Sequence, residues 1–147
     1  MVANSYPSTA FRFQVELDGL LVAGFSEVVG LEAETEVEVY REGGVNDFEH
    51  HFIKVQKHPN LVLKRGITNS VELWNWYEGV ALGNITRKNG SIILLNPKGQ
   101  ESFRWNFFNS FPVKWVGPQL SSISSEVAIE TLEIVHQGLK TMAAANA

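Results

Sequence analysis

The sequence predicts a mainly β fold of the α+β class: a small β-barrel or sandwich of about eight strands with one flanking helix near residues 70–82. Two observations predict it. Apolar and polar residues alternate along most of the chain with the period of two that half-buried strands require, and a single segment has helical spacing instead. Hydrophobic residues form 44% of the 147 residues, which is enough for one packed core, so we expect one domain over residues 1–147.

The first half of the chain alternates strand and turn signals. Apolar and polar residues alternate from Phe11 to Leu17, which predicts a strand, and Asp18-Gly19 directly after it is a tight-turn signal. Gly24 is the expected site of a bulge in the next strand. Residues 1–9 are expected to form a flexible arm. Further strands are expected over 20–29, 31–41, 48–57 and 61–66, with a loop over 42–47.

The second half contains the predicted helix. Apolar residues recur at helical spacing from Val71 to Leu82, Ser70 is the expected N-cap, and Gly83-Asn84 ends the helix. Strands are then expected over 92–95, 102–108 and 127–137. For the last of these a helix opened by Ser125-Glu126 is the alternative, and the β-branched residues favour the strand. Turns are expected over 88–90 and 96–99, a loop over 109–125, and a loose C-terminal tail over 140–147.

Composition excludes several classes of protein. The chain has no cysteine, so it has no disulfides and no thiolate metal site. No apolar run approaches the ~20 residues of a membrane span. The N-terminus lacks the basic start and apolar core of a secretory signal, so no standard secretory signal is expected. A net charge of −4 and a pI near 5.5 argue against sequence-specific nucleic-acid binding.

No residue pattern indicates a catalytic or cofactor site. His50, His51 and His58 lie close in sequence, but adjacent strand residues point to opposite faces and cannot readily share one metal ion. Ser26 lacks the second glycine of a nucleophile elbow. Gly43-Gly44 alone is too weak a signal for phosphate binding. The sequence therefore predicts a protein that is not an enzyme and holds neither metal nor cofactor.

A row of alternating carboxylates is the least ordinary feature. Every second residue is a glutamate at Glu32, Glu34, Glu36 and Glu38. Same-face neighbours lie roughly 6.6–7 Å apart on a strand, so each adjacent pair costs about 0.6 kcal/mol in water and more on a dry face. The alternate residues Ala33, Val37 and Val39 are expected to pack on a core. Either an ordinary solvated face or a non-adhesive channel wall would explain the row.

Three blocks of sequence resemble the phage T4-type tail tube protein family. They are GFSEVVGLEAETEVEVYREGG at 24–44, LVLKRGIT at 61–68 with the Trp-containing helix that follows, and FPVKWVGPQLSSISSEVAIETLEIVHQGL at 111–139. The family includes the inner tube proteins of contractile phage tails and of extracellular contractile injection systems, and it is similar in fold to Hcp, the secreted tube protein of type VI secretion.

The resemblance implies a structural function without an active site. Members form hexameric rings that stack into a hollow tube, and strands from six subunits join into one barrel around the lumen. The implied partners are the surrounding sheath, the baseplate or spike, the cap and the cargo in the lumen. The implied setting is a phage-tail-like particle or a virion tail that is assembled in the bacterial cytoplasm and, for an injection system, released from the cell. The short chain favours the injection system over the phage.

The resemblance also suggests where the functional residues lie. Glu32, Glu34, Glu36 and Glu38 are expected to line the lumen or border its ring-to-ring junctions. Alternatively, they pair across subunits with a cation, for which the candidates are Arg41, Lys54, Lys57, Lys64 and Arg65. In similar tubes the segment between the third and fourth strands reaches the adjacent ring. The corresponding contact candidates are Arg41, Glu42, Gly43, Gly44, Asn46, Asp47, His50 and His51.

Three other functions are left as alternatives. One is an Hcp-like secreted ring that carries effectors. Another is a monomeric β-barrel that binds a small ligand in its interior. A hydrolase is a more distant alternative, because the sequence lacks a nucleophile or metal constellation. Electron micrographs would separate the tube subunit, the Hcp-like ring and the monomeric barrel, which should show tubes, isolated rings and no assemblies, respectively.

Overall fold

The computed structural model describes residues 12–22, 24–41, 49–123 and 125–143. These residues form ten strands and one helix, and eight of the strands belong to one sheet. The mainly β fold with one helix is therefore confirmed. The elements are β1 Phe13–Leu17, β2 Leu20–Val22, β3 Phe25–Val29, β4 Glu34–Arg41, β5 Glu49–Lys57, β6 Leu61–Gly66, α1 Glu72–Ala81, β7 Lys88–Leu95, β8 Glu101–Val116, β9 Ile129–Val135 and β10 Gly138–Ala143.

The long strand β8 connects the two halves of the main sheet. The strand order is β2-β1-β7-β8-β9-β6-β3, and β10 also pairs with β8. The first part of β8 lies between β7 and β10, whereas its last part pairs with β9. All of these pairs are antiparallel. Strands β4 and β5 pair only with each other and form a separate two-stranded sheet.

Both halves of the main sheet and the helix contribute to one hydrophobic core. Val15 on β1, Leu63 on β6, Phe107 on β8 and Leu132 on β9 are all fully buried in it. Helix α1 adds Leu73. Because both halves of the sheet and the helix supply apolar side chains to the same cluster, the sheet encloses one core, as in a barrel or sandwich.

Two turns follow the chemistry predicted from the sequence. Asp18 and Gly19 both have positive φ, at 52° and 78°, which matches the tight hairpin turn whose twist fits antiparallel strands. Gly83 has a φ of 95°. Its N–H donates to Val80 O, and the Asn84 N–H donates to Gly79 O. This pair of hydrogen bonds is a Schellman motif, so the predicted end of the helix is confirmed.

The predictions for the strand over 20–29 and for the helix N-cap are wrong in detail. The strand predicted over 20–29 is divided at Gly24, whose φ of 90° lets the chain leave β1 for a new partner, β6. The helix N-cap is Val71 rather than Ser70. Ser70 donates its N–H to Thr68 Oγ1, and its own hydroxyl lies 3.5 Å from the Glu72 nitrogen, which is at the limit for a hydrogen bond.

Three predictions in the second half are also wrong. The turn expected at 88–90 lies within β7, because Gly90 serves there as a close-packing residue beneath the Phe107 ring. The loop expected from 109 onward begins only after Val116, since β8 continues past a bend at Asn109. Residues 140–143 of the expected loose tail pair with β8 in strand β10. The predicted arm 1–9, loop 42–47 and tail end 144–147 lie outside the described residues.

Candidate functional site

The separate sheet formed by β4 and β5 carries most of the residues predicted to function; we call it the hairpin. Its register runs from Glu34 opposite Lys57 to Arg41 opposite Glu49. One register shift occurs after Glu36, where β5 contains the extra residue Lys54. A bulge of this kind leaves the alternation of side chains between the two faces of β4 intact. On β5, odd- and even-numbered residues exchange faces from one side of Lys54 to the other.

The carboxylate row, Glu32 to Glu38, is largely exposed to water. Glu34, Glu36 and Glu38 share one face of β4 because they alternate along an uninterrupted strand. Glu32 precedes the strand, and its N–H donates to Gly30 O at 2.7 Å. Glu36 is half-buried and the other three are exposed. The row therefore faces solvent in a single copy of the chain.

Of the basic residues considered as partners of the carboxylate row, Lys57 contacts the row within the same chain. Lys57 Nζ lies 3.7 Å from Glu36 Oε1, and the two side chains are 55% and 41% exposed, so water screens this pair and it contributes about 0–1 kcal/mol. Lys64 pairs instead with Glu27 at 3.3 Å. The Arg65 side chain is 2% exposed and is engaged by two glutamates outside the row. The side chains of Arg41 and Lys54 lie outside the described residues.

The opposite face of β4 exposes aliphatic surface. Val37 and Val39 are 47% and 52% exposed, and Ala33 is exposed as well. The expectation that these residues pack on the core is therefore wrong for a single copy. Alternation shows which residues share a face of a strand, but it does not show whether anything covers that face. We call Val37 and Val39 the valine face.

Arg41, His50 and His51 lie within the strands of the hairpin. Arg41 ends β4, and the two histidines are opposite Tyr40 and Val39 in the register. The remaining contact candidates, Glu42, Gly43, Gly44, Asn46 and Asp47, lie outside the described residues.

The polar residues considered for catalysis have other surroundings. Ser26 Oγ donates to Lys64 O at 3.3 Å. His58 lies beside His136, with ring centroids 5.3 Å apart. Among the described residues, no three His, Asp or Glu side chains come together as a metal site would require. No helix in the described ranges is both long and apolar enough to span a membrane.

Three exposed aliphatic residues between β8 and β9 were not predicted from the sequence. Leu120, Ile123 and Val127 are 81%, 96% and 76% exposed in the connection between β8 and β9. These large aliphatic residues lie in a serine-rich loop, where no strand or helix is expected to bury them. That combination is the sequence signal by which their exposure could have been predicted.

A β fold that leaves a charged and aliphatic hairpin uncovered is typical of a subunit of a larger assembly. The family whose description is T4-like virus tail tube protein gp19 matches residues 9–140. The chain belongs to this family of structural tube proteins, and the resemblance stated from the sequence is confirmed. The comparison with curated protein sequences gave no match.

Solved structures of a baseplate, a sheath–tube complex and an Hcp protein contain chains with a similar fold. A chain in the anti-feeding prophage (AFP) baseplate is 28% identical with a TM-score of 0.80, over 95% of this chain and 98% of that one. A chain in the sheath–tube complex of the extracellular contractile injection system PVC is 24% identical with a TM-score of 0.87, over 95% and 94%. Hcp1 from Flavobacterium johnsoniae is 16% identical with a TM-score of 0.60, over 91% and 97%, and shows the fold alone.

Proposed function

We propose that the protein is the inner tube subunit of an extracellular contractile injection system, in which hexameric rings stack around a hollow lumen. The observation that carries this proposal is the uncovered valine face. Full burial of a valine contributes about 1.5–3 kcal/mol, so covering the exposed half of each contributes about 1 kcal/mol. A second copy that covers both valines of one hairpin would therefore gain about 2 kcal/mol at each contact.

The tube function is favoured over an Hcp-like secreted ring. The tube proteins of the injection systems have higher TM-scores to this chain than Hcp1 does. Structures of related particles contain a sheath–tube complex, a cap and a baseplate, which supports a sheath, a cap and a baseplate as partners here. The protein would transmit force and enclose cargo within a phage-tail-like particle, without a catalytic step.

The carboxylate row fits the wall of the lumen. Its face is water-exposed in one copy, whereas the valine face is aliphatic, so an assembly gains most by covering the valines and leaving the glutamates wet. Six copies would surround the bore with negative charge, which repels nucleic acid and acidic cargo. The segment from Arg41 to His51 contains the connection between the two strands of the hairpin, and we assign it to the contact with the adjacent ring.

Replacing Val37 and Val39 together by threonine tests the proposal. Threonine keeps the β-branched shape but adds a hydroxyl that must be desolvated when the face is covered. A loss of about 2 kcal/mol per contact should raise the concentration needed for assembly by about tenfold or more. Sedimentation measures that concentration, and negative-stain micrographs show whether tubes form. Circular dichroism checks that the variant subunit is folded.

The matched control is Val55→Thr on the same hairpin. Val55 is 51% exposed and lies opposite Glu36, on the carboxylate face. If that face borders the lumen, this variant assembles like the unmodified chain. Assembly that is unaffected by the Val37 and Val39 changes would refute the role of the valine face. Assembly blocked by Val55→Thr would show that the carboxylate face, not the valine face, is buried between copies.

A further inference from the structure

The connection between β8 and β9, residues 117–128, is held by the main sheet at both of its ends. At its start, Gly117 lies so close to the Trp115 ring that a Cβ atom there would be 3.0 Å from Cη2. At its end, the Ile67 N–H donates to Ala128 O at 2.9 Å. The sheet therefore fixes where this connection leaves it and where it returns.

This connection carries three exposed aliphatic side chains and little charge. Leu120, Ile123 and Val127 are each at least 76% exposed, and we call these three residues the aliphatic loop. Glu126 is the only charged residue between positions 117 and 128. A partner that covers the aliphatic loop therefore removes apolar surface from water and has a single carboxylate to accommodate.

The aliphatic loop and the hairpin are attached to opposite ends of the same pair of strands. In the register of β6 with β9, Gly66 lies opposite Ile129, which follows the aliphatic loop, and Leu61 lies opposite Ile134. The hairpin joins the sheet at the Leu61 end, because residues 58–60 lead directly from β5 into β6. A strand of this length spans about 17–20 Å, and this distance separates the two points of attachment.

The valine face matches the aliphatic loop in chemistry. Thr35 shares this face of β4 with Val37 and Val39, and all three are exposed and uncharged. The carboxylate row projects from the other face of the strand. Contact between the valine face and the aliphatic loop would thus pair two apolar surfaces and leave the glutamates in water.

A head-to-tail arrangement covers both surfaces with one kind of contact. If two valine faces met each other, the contact would be isologous and complete at two copies, and the aliphatic loop would need a different partner. If the valine face of one copy meets the aliphatic loop of the next, each copy still has one free surface of each kind. Such a heterologous contact repeats from copy to copy.

We propose that the aliphatic loop of one copy covers the valine face of the next copy. The partner of this loop is then the hairpin of a second copy of the same chain. The contact gives the assembly a direction, because one end presents a hairpin and the other end presents a loop. The place of the contact between successive rings rests on the proposed tube function, whereas the pairing of the two surfaces rests on their exposure, chemistry and position.

Engineered cysteines test this pairing directly, because the chain has no cysteine of its own. Val39→Cys and Ile123→Cys subunits are mixed and treated with a short bismaleimide cross-linker. The matched control replaces the first variant by Val55→Cys, since Val55 is 51% exposed but lies on the carboxylate face. We expect mixed dimers to form about tenfold faster or more with Val39→Cys, because contact raises the effective concentration of the two thiols.

A chain that carries both Val39→Cys and Ile123→Cys tests the head-to-tail arrangement. It should give a ladder of cross-linked dimers, trimers and larger species on a denaturing gel. A ladder that ends at dimers would overturn the proposal, as would equal rates for Val39→Cys and Val55→Cys. Cross-linking of Val39→Cys with itself alone would indicate an isologous contact, and cross-linking within one copy would indicate that the hairpin covers its own loop; either result also overturns it.

A double-mutant cycle tests the same pairing without cross-linking. One arm is Leu120→Ser with Ile123→Ser, the other is Val37→Thr with Val39→Thr, and sedimentation gives the concentration at which each variant assembles. If the two surfaces meet, the change in the combined variant should fall short of the product of the separate changes by about threefold or more. A change equal to that product would overturn the proposal. Circular dichroism checks that each variant is folded.

These results separate the contact from the tube function. Tubes in micrographs without cross-linking between Val39→Cys and Ile123→Cys would refute the contact and leave the tube function standing. A cross-linked ladder from subunits that never form tubes would support the contact and refute the tube function.

Discussion

Replacing Glu130 by alanine should destabilise the protein more than the loss of any exposed carboxylate, because Glu130 neutralises a buried guanidinium. Glu130 and Arg65 are 5% and 2% exposed, and Arg65 Nε donates to Glu130 Oε1. Trp115 Nε1 donates to the other carboxylate oxygen at 3.1 Å. Removing one partner of a buried ion pair costs about 3–5 kcal/mol, and an unsatisfied indole N–H costs about 1–3 kcal/mol. These costs overlap, so we expect a loss of about 4 kcal/mol.

Urea unfolding followed by circular dichroism measures that loss. The control is Glu72→Gln, because Glu72 also accepts from Arg65, at 2.9 Å, but its side chain is 52% exposed. Its replacement should cost about 1 kcal/mol or less. A third variant, Arg65→Met with Glu130→Leu, removes both charges and should recover much of the stability. The reasoning fails if Glu130→Ala and Glu72→Gln unfold at the same urea concentration.

Two further predictions concern glycines. Gly90→Ala should lower the free energy of unfolding in urea by about 1–3 kcal/mol, because the added methyl group would lie 2.6 Å from Phe107 Cε2. Gly79→Ala in helix α1 should instead raise it by about 0.5–1 kcal/mol. Equal effects of the two variants would contradict the packing at Gly90. Replacing Gly43 and Gly44 by bulky residues should leave the subunit folded but stop tube growth, and normal tubes in micrographs of that variant would refute the stacking contact.

The continuation of β8 shows why part of the fold was beyond sequence reasoning. Pro112 lacks an N–H and is normally confined to edges or bulges, so it predicted a loop. In the structure Pro112 lies opposite Ile134, next to a register shift that accommodates it. Asn109 takes a positive φ of 53° inside the strand, a conformation that asparagine tolerates better than most residues. The partner strand, distant in sequence, decides whether such residues end a strand or bend it.

The hairpin illustrates the same limit for the candidate site. Alternation correctly placed Glu34, Glu36 and Glu38 on one face of a strand. It could not show that Val37 and Val39 are uncovered, because that depends on the absence of a layer above them in one copy. The burial of Arg65 was equally hidden, since its partner Glu130 is 65 residues away. Local pattern predicts faces, whereas long-range packing decides which faces are dry.

The shared strand β8 also has a mechanical consequence. One continuous strand from Glu101 to Val116 is hydrogen-bonded to both halves of the sheet. Neither half can therefore unfold without disturbing the strand to which the other half is hydrogen-bonded. We expect heating to produce a single calorimetric transition. A load applied along the molecule would be spread over both ladders at once, which suits the proposed function of a tube subunit that transmits force.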